Sequence, residues 1–229
     1  MNLSNDTKTV VGDVSPGQSH TIPEEVLGYF KGLVGQIEIA LPQRECRVLM
    51  VASSVPGEGS TEVTIGLGLA LAVTMGRKTA LIDCNMHHPE MHTRFGTPEV
   101  GLGEYLTHRI PLEQALANTV VPNMYIMPVG RHVASLVAVD KTELEALVAD
   151  LRRSFEYVLI DAAPVGTYPE CAVLCDKVDA VILVVKHAST RREVVIRARD
   201  IINRAGGKIL GVVLNRRRFP IPEFLYKRL

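Results

Sequence analysis

Six short apolar runs, alternating with longer stretches of helical spacing, constrain this chain more than any other feature. RVLMVAS (47–53), TALIDC (79–84), MYIMPV (124–129), YVLIDA (157–162), AVILVV (180–185) and ILGVVLN (209–215) are nearly continuous in apolar residues. Strands buried on both faces read this way. Helical patterns fall between them near 60–75, 141–154, 168–176 and 190–205. Asp140/Glu143 and Thr190/Glu193 have capping-box spacing, and Gly206-Gly207 suits closure of the last helix. The alternation predicts an α/β fold of three layers, a mostly parallel sheet with helices on both faces. At 229 residues, 47% of them hydrophobic, the chain suffices for one such domain and is short for two.

Residues 1–20 are polar with no apolar period and read as a flexible N-terminal arm. The domain is expected over 21–218, with 219–229 as a C-terminal tail. It opens with a capping box at Thr21–Glu24 and a helix over 23–39, whose apolar face is Val26, Phe30, Leu33 and Ile37. The longest apolar runs fall far short of the ~20 residues of a membrane span, and the polar start resembles no signal peptide. A soluble cytoplasmic domain is the expectation. Cys46, Cys84, Cys171 and Cys175 show no CxxC pairing and read as core residues of a reducing compartment. Cys84 with His87, His88 and His92 is the alternative, a metal-chelating cluster.

Lys and Arg balance Asp and Glu at 25 each, yet the charge is polarised: residues 186–229 hold 12 basic side chains against three acidic ones. Such a segment suits an acidic partner surface or anionic headgroups beside a membrane protein. Arg216, Arg217 and Arg218 are the candidate docking residues. Without interleaved aromatics or a reading motif, no nucleic-acid partner is expected.

The first strand runs into Ser53-Ser-Val-Pro-Gly57-Glu58-Gly59-Ser60-Thr61 and then a helix. Strand, glycine-rich turn, hydroxyl residue and helix are the context of a phosphate-binding loop. Its backbone N–H groups and the helix N-terminus face a polyphosphate, and Thr61 offers a hydroxyl to Mg²⁺. The pattern calls for lysine immediately before that hydroxyl, and this chain has Ser60. Two readings stand: a tight turn kept for architecture, or a surviving site for ATP or ADP.

Five landmarks occur in order: SSVPGEG (53–59), LIDCNMHHP (81–89), GLGEYL (101–106), VLIDAAP (158–164) and ILGVVLN (209–215). Together they resemble the cytoplasmic domain of the bacterial tyrosine kinases (BY-kinases) of capsule and exopolysaccharide biosynthesis, within the wider Min/Par-like ATPase group. The resemblance covers roughly 22–218. It implies Mg-ATP binding and phosphorylation of a C-terminal tyrosine cluster on a neighbouring subunit. By position, Gly57, Glu58, Gly59, Ser60 and Thr61 would form the nucleotide loop, and Asn215 would lie near the base. Asp83 and Asp161 match the family's catalytic acids, and with Thr61 they form the Mg²⁺ set.

Several departures from the family pattern point one way. Ser60 replaces the loop lysine, Asn85 the second acid of the D-x-D pair, and His87 its arginine. The subunit-contact motif aligns with Gly28, Lys31 and Val34, which puts the family's homo-oligomeric ring in doubt. The tyrosine cluster is reduced to Tyr226. A charge-assisted hydrogen bond is worth about 1.5–3 kcal/mol, so losing the lysine weakens nucleotide binding roughly 10- to 150-fold. Losing one preorganised donor slows chemistry by about 10²–10³. The expectation is a pseudokinase with a weak or lost ATP/ADP and Mg²⁺ site and vestigial Asp83 and Asp161. It would serve as docking or regulatory partner of a membrane polysaccharide co-polymerase on a separate chain, at the inner face of the plasma membrane. An active paralogue is a further possible partner. The alternatives are a divergent active kinase or ATPase with a substitute cation, for which Arg77 and Lys78 are candidates, and a nucleotide-responsive switch without turnover.

Overall fold

A computed structural model describes residues 24–108, 110–131 and 135–216. The expected arm, the tail, the Thr21 cap, Arg217, Arg218 and Tyr226 lie outside the described residues.

Seven strands form one sheet: β1 (Arg47–Ser53), β2 (Thr79–Cys84), β3 (Ala117–Asn118), β4 (Met124–Met127), β5 (Tyr157–Ala162), β6 (Ala180–Lys186) and β7 (Ile209–Asn215), in the order β3-β4-β2-β5-β1-β6-β7. All neighbours are parallel except the short β3–β4 pair. Successive strand residues point to opposite faces, and the core divides accordingly. Leu49, Val51, Leu81, Leu159 and Ile182 pack under α1 (Glu24–Ala40) and α2 (Ser60–Leu69), the latter continuing as a π-turn over Ala70–Thr74. On the other face Val48, Met50, Val158, Ile160 and Val181 meet Leu144, Leu147 and Leu151 of α6 (Lys141–Ser154) and Ala198 and Ile202 of α8 (Arg192–Arg204). This is the expected three-layer α/β architecture.

Short elements complete the layers: α4 (Leu102–His108), α5 (Leu112–Ala115), a 3₁₀ turn at Leu136–Ala138 and α7 (Glu170–Leu174) lie on the face of α6 and α8, and α3 (Met91–Phe95) lies on the face of α1 and α2. α7 falls within the helix expected near 168–176; the others, at three to seven residues, are too brief for helical periodicity to register.

Three local expectations are corrected. The buried stripe of α1 is Leu27, Val34 and Ile37, while Val26 is exposed. The aromatic ring of Phe30 sits directly over Gly66 of α2, where an added Cβ would come within 2.2 Å of it. Strand β7 is not buried on both faces: it is the sheet edge, and Val212 and Leu214 are more than half exposed. Asp140 caps α6 by accepting from the Thr142 amide, but Thr190 does not cap α8, whose first turn has no side-chain cap. Its hydroxyl donates to Glu58 instead.

All four cysteines are buried and unpaired. Among the described residues no group of three His, Cys, Asp or Glu side chains is arranged to hold a metal ion. Cys84 faces the core, whereas His87 stacks on Tyr168 at 3.5 Å and meets Glu170 at 3.3 Å. No described helix is long and apolar enough to cross a membrane.

Candidate functional site: a phosphate cleft at the strand ends

In an open α/β sheet, ligands bind beyond the carboxyl ends of the strands, where successive connections diverge. Here the chain leaves β1 for β2 on one side, while β6 lies on the other, and β5 fills the place between β1 and β2. Ser53, Asp83 and Asp161 stand at those ends. The loop from β1 to α2 turns through Gly57 (φ 82°) and Gly59 (φ 93°), left-handed positions that favour glycine. The first backbone bond into α2 runs from Val63 N to Gly59 O. The amides of Ser60, Thr61 and Glu62 therefore have no acceptor inside the helix and open toward the cleft.

Two side chains hold this loop in shape. Glu58 is almost fully buried, and its carboxylate accepts from the Ser54 amide (2.6 Å), the Val55 amide (3.0 Å), the Lys186 amide (3.2 Å) and the Thr190 hydroxyl. Asn215, at the end of β7, donates to the Glu58 carbonyl at 2.9 Å. It sits so close that a Cβ on Gly59 would lie 2.3 Å from its Nδ2. The sequence pattern places both among the nucleotide contacts. The structure directs the Glu58 carboxylate inward, to the loop's own amides, and the Asn215 amide toward the loop's carbonyls.

Below the loop lie the acids. Asp83 and Asp161 are register partners on adjacent strands and almost fully buried. Burial pushes Asp83 up to about 6, against the lowering pull of the Met91 and Asn85 amides. Burial, and then the charge of Asp83, pushes Asp161 up to about 8. The Thr61 hydroxyl donates to Asp161 Oδ2 at 2.6 Å. Asp161 Oδ1 and Asn85 Oδ1 are buried without a hydrogen-bond partner. Hydroxyl, carboxylate and amide oxygens are the donor set a hard cation such as Mg²⁺ takes. The unsatisfied oxygens and the open amides thus fit a metal–phosphate group.

The cleft measures about 260 Å³, and its lining includes Gly57, Gly59, Ser60, Thr61, Glu62, Asn85, His88 and Arg216. Pockets that enclose a drug-sized ligand run to roughly 300–1,000 Å³, so this one matches a polyphosphate better than a whole nucleotide. The sequence reading missed Glu62, His88 and Arg216 as parts of this wall. For Arg216 the available signal was its place next to Asn215. The two cations offered as substitutes for lysine are elsewhere. Arg77 pairs with Glu156 at 2.9 Å, and Lys78 lies over the rings of Tyr125 and Phe155. Both precede β2, whose six residues carry the chain roughly 20 Å before reaching the site.

Fold and cleft together define a P-loop nucleotide-binding domain. More particularly, the chain belongs to the ParA family, whose model, described as a NUBPL iron-transfer P-loop NTPase, matches residues 45–226. It is similar to the tyrosine-protein kinase CpsD of Streptococcus agalactiae serotype III, 28% identical over 192 residues, 82% of this chain and 81% of that one. The crystal structure of the VpsO kinase domain superimposes with a TM-score of 0.74 and 28% identity, covering 85% of this chain and 97% of that one. The succinoglycan biosynthesis transport protein ExoP of Rhizobium meliloti is 26% identical over 182 residues, 75% of this chain but 22% of its own length. The chain is thus a bacterial tyrosine-kinase-like P-loop protein, with relatives in capsule and exopolysaccharide biosynthesis.

Proposed function

We propose that this chain is a regulatory member of the bacterial tyrosine-kinase group: it takes a Mg-nucleotide at the β1–α2 loop but transfers phosphoryl groups poorly or not at all. It works at the cytoplasmic face of the membrane beside a polysaccharide co-polymerase carried on a separate chain. The observation that carries this reading is the chemistry at Ser60. Where the group's lysine would reach forward to the β and γ phosphates, this chain has only the short, uncharged hydroxyl of Ser60, buried in the first turn of α2. Phosphoryl transfer depends almost wholly on positioned charge, so losing that charge impairs turnover more than binding.

The residues that remain have binding roles. The amides of Ser60, Thr61 and Glu62 would hold phosphate, and Thr61, Asp83 and Asp161 would hold Mg²⁺, which neutralises phosphate charge when bound. Asn85 contributes a neutral oxygen where the group has an acid. The co-polymerase partner is supported by the likeness to ExoP, named as a transport protein of succinoglycan biosynthesis, and by the exposed basic residues Arg191, Arg192, Arg197, Arg199 and Arg204 on and beside α8. Full burial of Val34, one of the three positions of the subunit-contact motif, supports action outside a homo-oligomeric ring.

The test is co-purification from solubilised membranes together with polymer yield. The chain should travel with the co-polymerase, its deletion should lower yield, and the wild-type chain should restore yield without phosphotyrosine forming on it. A yield rescued only by variants that phosphorylate tyrosine would overturn the reading.

A further inference from the structure

We propose that Arg216 takes over the phosphate contact that Ser60 cannot make, so that the polyphosphate of a Mg-nucleotide is gripped from the β7 side of the cleft. The inference rests on the nucleotide-binding reading above and names the residue that makes such binding workable without the loop lysine.

The placement follows from the end of β7. Asn215 works in two directions: its Nδ2 donates to the Glu58 carbonyl at 2.9 Å, and its Oδ1 accepts from the Arg216 amide at 2.9 Å. The second bond fixes a turn in which Arg216 adopts φ 53°, a left-handed conformation that costs a non-glycine residue energy. Strain of this kind is found where surrounding structure over-determines a backbone for a purpose. Its effect here is to bring the side chain back over the loop, into one wall with Gly57, Gly59 and Thr61.

The electrostatics agree. Among the described residues lining the cleft, Arg216 carries the one permanent positive charge. Its Nη2 rests 3.3 Å from Glu62 Oε1, longer than the ~2.7–2.9 Å of a tight charge-assisted bond. The side chain stays about half exposed. Glu62 also meets Arg94 at 3.4 Å, so this carboxylate keeps a partner when Arg216 moves. A guanidinium presents a planar fork of donors that matches phosphate oxygens in pairs. That the cleft is built for a ligand is supported independently by Asn85. Its side chain is more than nine-tenths buried, lines the same wall, and has an Oδ1 without a partner. Asn85 supplies an acceptor for the metal or its waters, and Arg216 supplies the charge for the phosphate.

Calorimetry with Mg-ATP, Mg-ADP and adenosine separates the possibilities, on wild type, Arg216→Ala, Arg216→Lys and the double variant Ser60→Lys/Arg216→Ala, each checked for folding by circular dichroism. Wild type should bind both nucleotides saturably. Arg216→Ala should weaken Mg-ATP by about 10- to 150-fold, the loss of one charge-assisted contact, and leave adenosine unchanged. Arg216→Lys should fall between, and Ser60→Lys should restore binding in the Arg216→Ala background. Wild-type affinity in Arg216→Ala, or an equal loss for adenosine, overturns this inference while the nucleotide reading stands. No wild-type heat up to millimolar nucleotide overturns both.

Discussion

Thr61 and Asp161 lie a hundred residues apart in the chain, yet the hydroxyl of one donates to the carboxyl of the other at 2.6 Å. The bond ties the first turn of α2 to the end of β5 and leaves the second carboxyl oxygen of Asp161 without a partner. A buried polar oxygen left in that state costs about 1–3 kcal/mol, which a bound cation would relieve. Asp161→Asn should therefore make ADP affinity independent of Mg²⁺, whereas wild-type affinity should rise when Mg²⁺ is added. Titrations with Mg²⁺ and with chelator check this.

Gly57 and Gly59 both require left-handed backbone, but their surroundings differ. A Cβ on Gly57 meets open space, while one on Gly59 meets Asn215 at 2.3 Å. Gly57→Ala should cost about 1–2 kcal/mol, the conformational penalty alone. Gly59→Ala should cost more, because it also displaces the Asn215 amide that fastens β7 to the loop. Urea unfolding of the two variants measures the difference, and equal costs would show that Asn215 contributes no clamp.

A polar clasp at the opposite end of the sheet governs acid stability. Asp179 accepts from Arg152 at 2.9 and 3.0 Å, from Arg44 at 2.9 Å and from the Val48 amide at 2.7 Å. Burial alone would push its carboxyl up; Arg152, the Val48 amide and Arg44 outweigh burial and hold it below the ordinary range. A depressed carboxyl contributes stability that is present above its unfolded value near pH 4 and is lost as pH falls through the lower folded value. Asp179→Ala should cost about 3 kcal/mol at pH 7, since it strands a partly buried arginine. The gap from wild type should narrow as the pH falls below the ordinary carboxylate value of about 4. Urea midpoints across that range test it.

Restoring the lost charge is the converse experiment. Ser60→Lys should tighten Mg-ATP binding by roughly 10- to 150-fold in the wild-type background. A smaller gain there than in Arg216→Ala would show that both cations serve the same phosphates.

Four strands were legible because their apolar runs are continuous: β1, β2, β5 and β7 begin and end at the residues expected. What escaped notice depended on neighbours in space. The apolar run of β7 matches that of a buried strand, and only the strand order shows it to be an edge. Thr190 has the spacing of a cap, but the buried Glu58 carboxylate competes for its hydroxyl and wins. The phosphate loop could be recognised from its glycines and Thr61. The inward turn of Glu58 and the approach of Arg216 depend on β6, β7 and the α8 junction, which are remote in sequence. Lys78 and Arg77, candidates only at a long reach because they precede the second strand, are held away from the cleft by the length of that extended strand.

Phosphoryl transfer from saturating Mg-ATP, to tyrosine in the chain and to a tyrosine polymer, tests the central claim most directly. The account predicts nucleotide bound with neither phosphotyrosine formed nor ATP hydrolysed above background. Tyrosine phosphorylation by the wild-type chain that disappears with Asp161→Ala would contradict it.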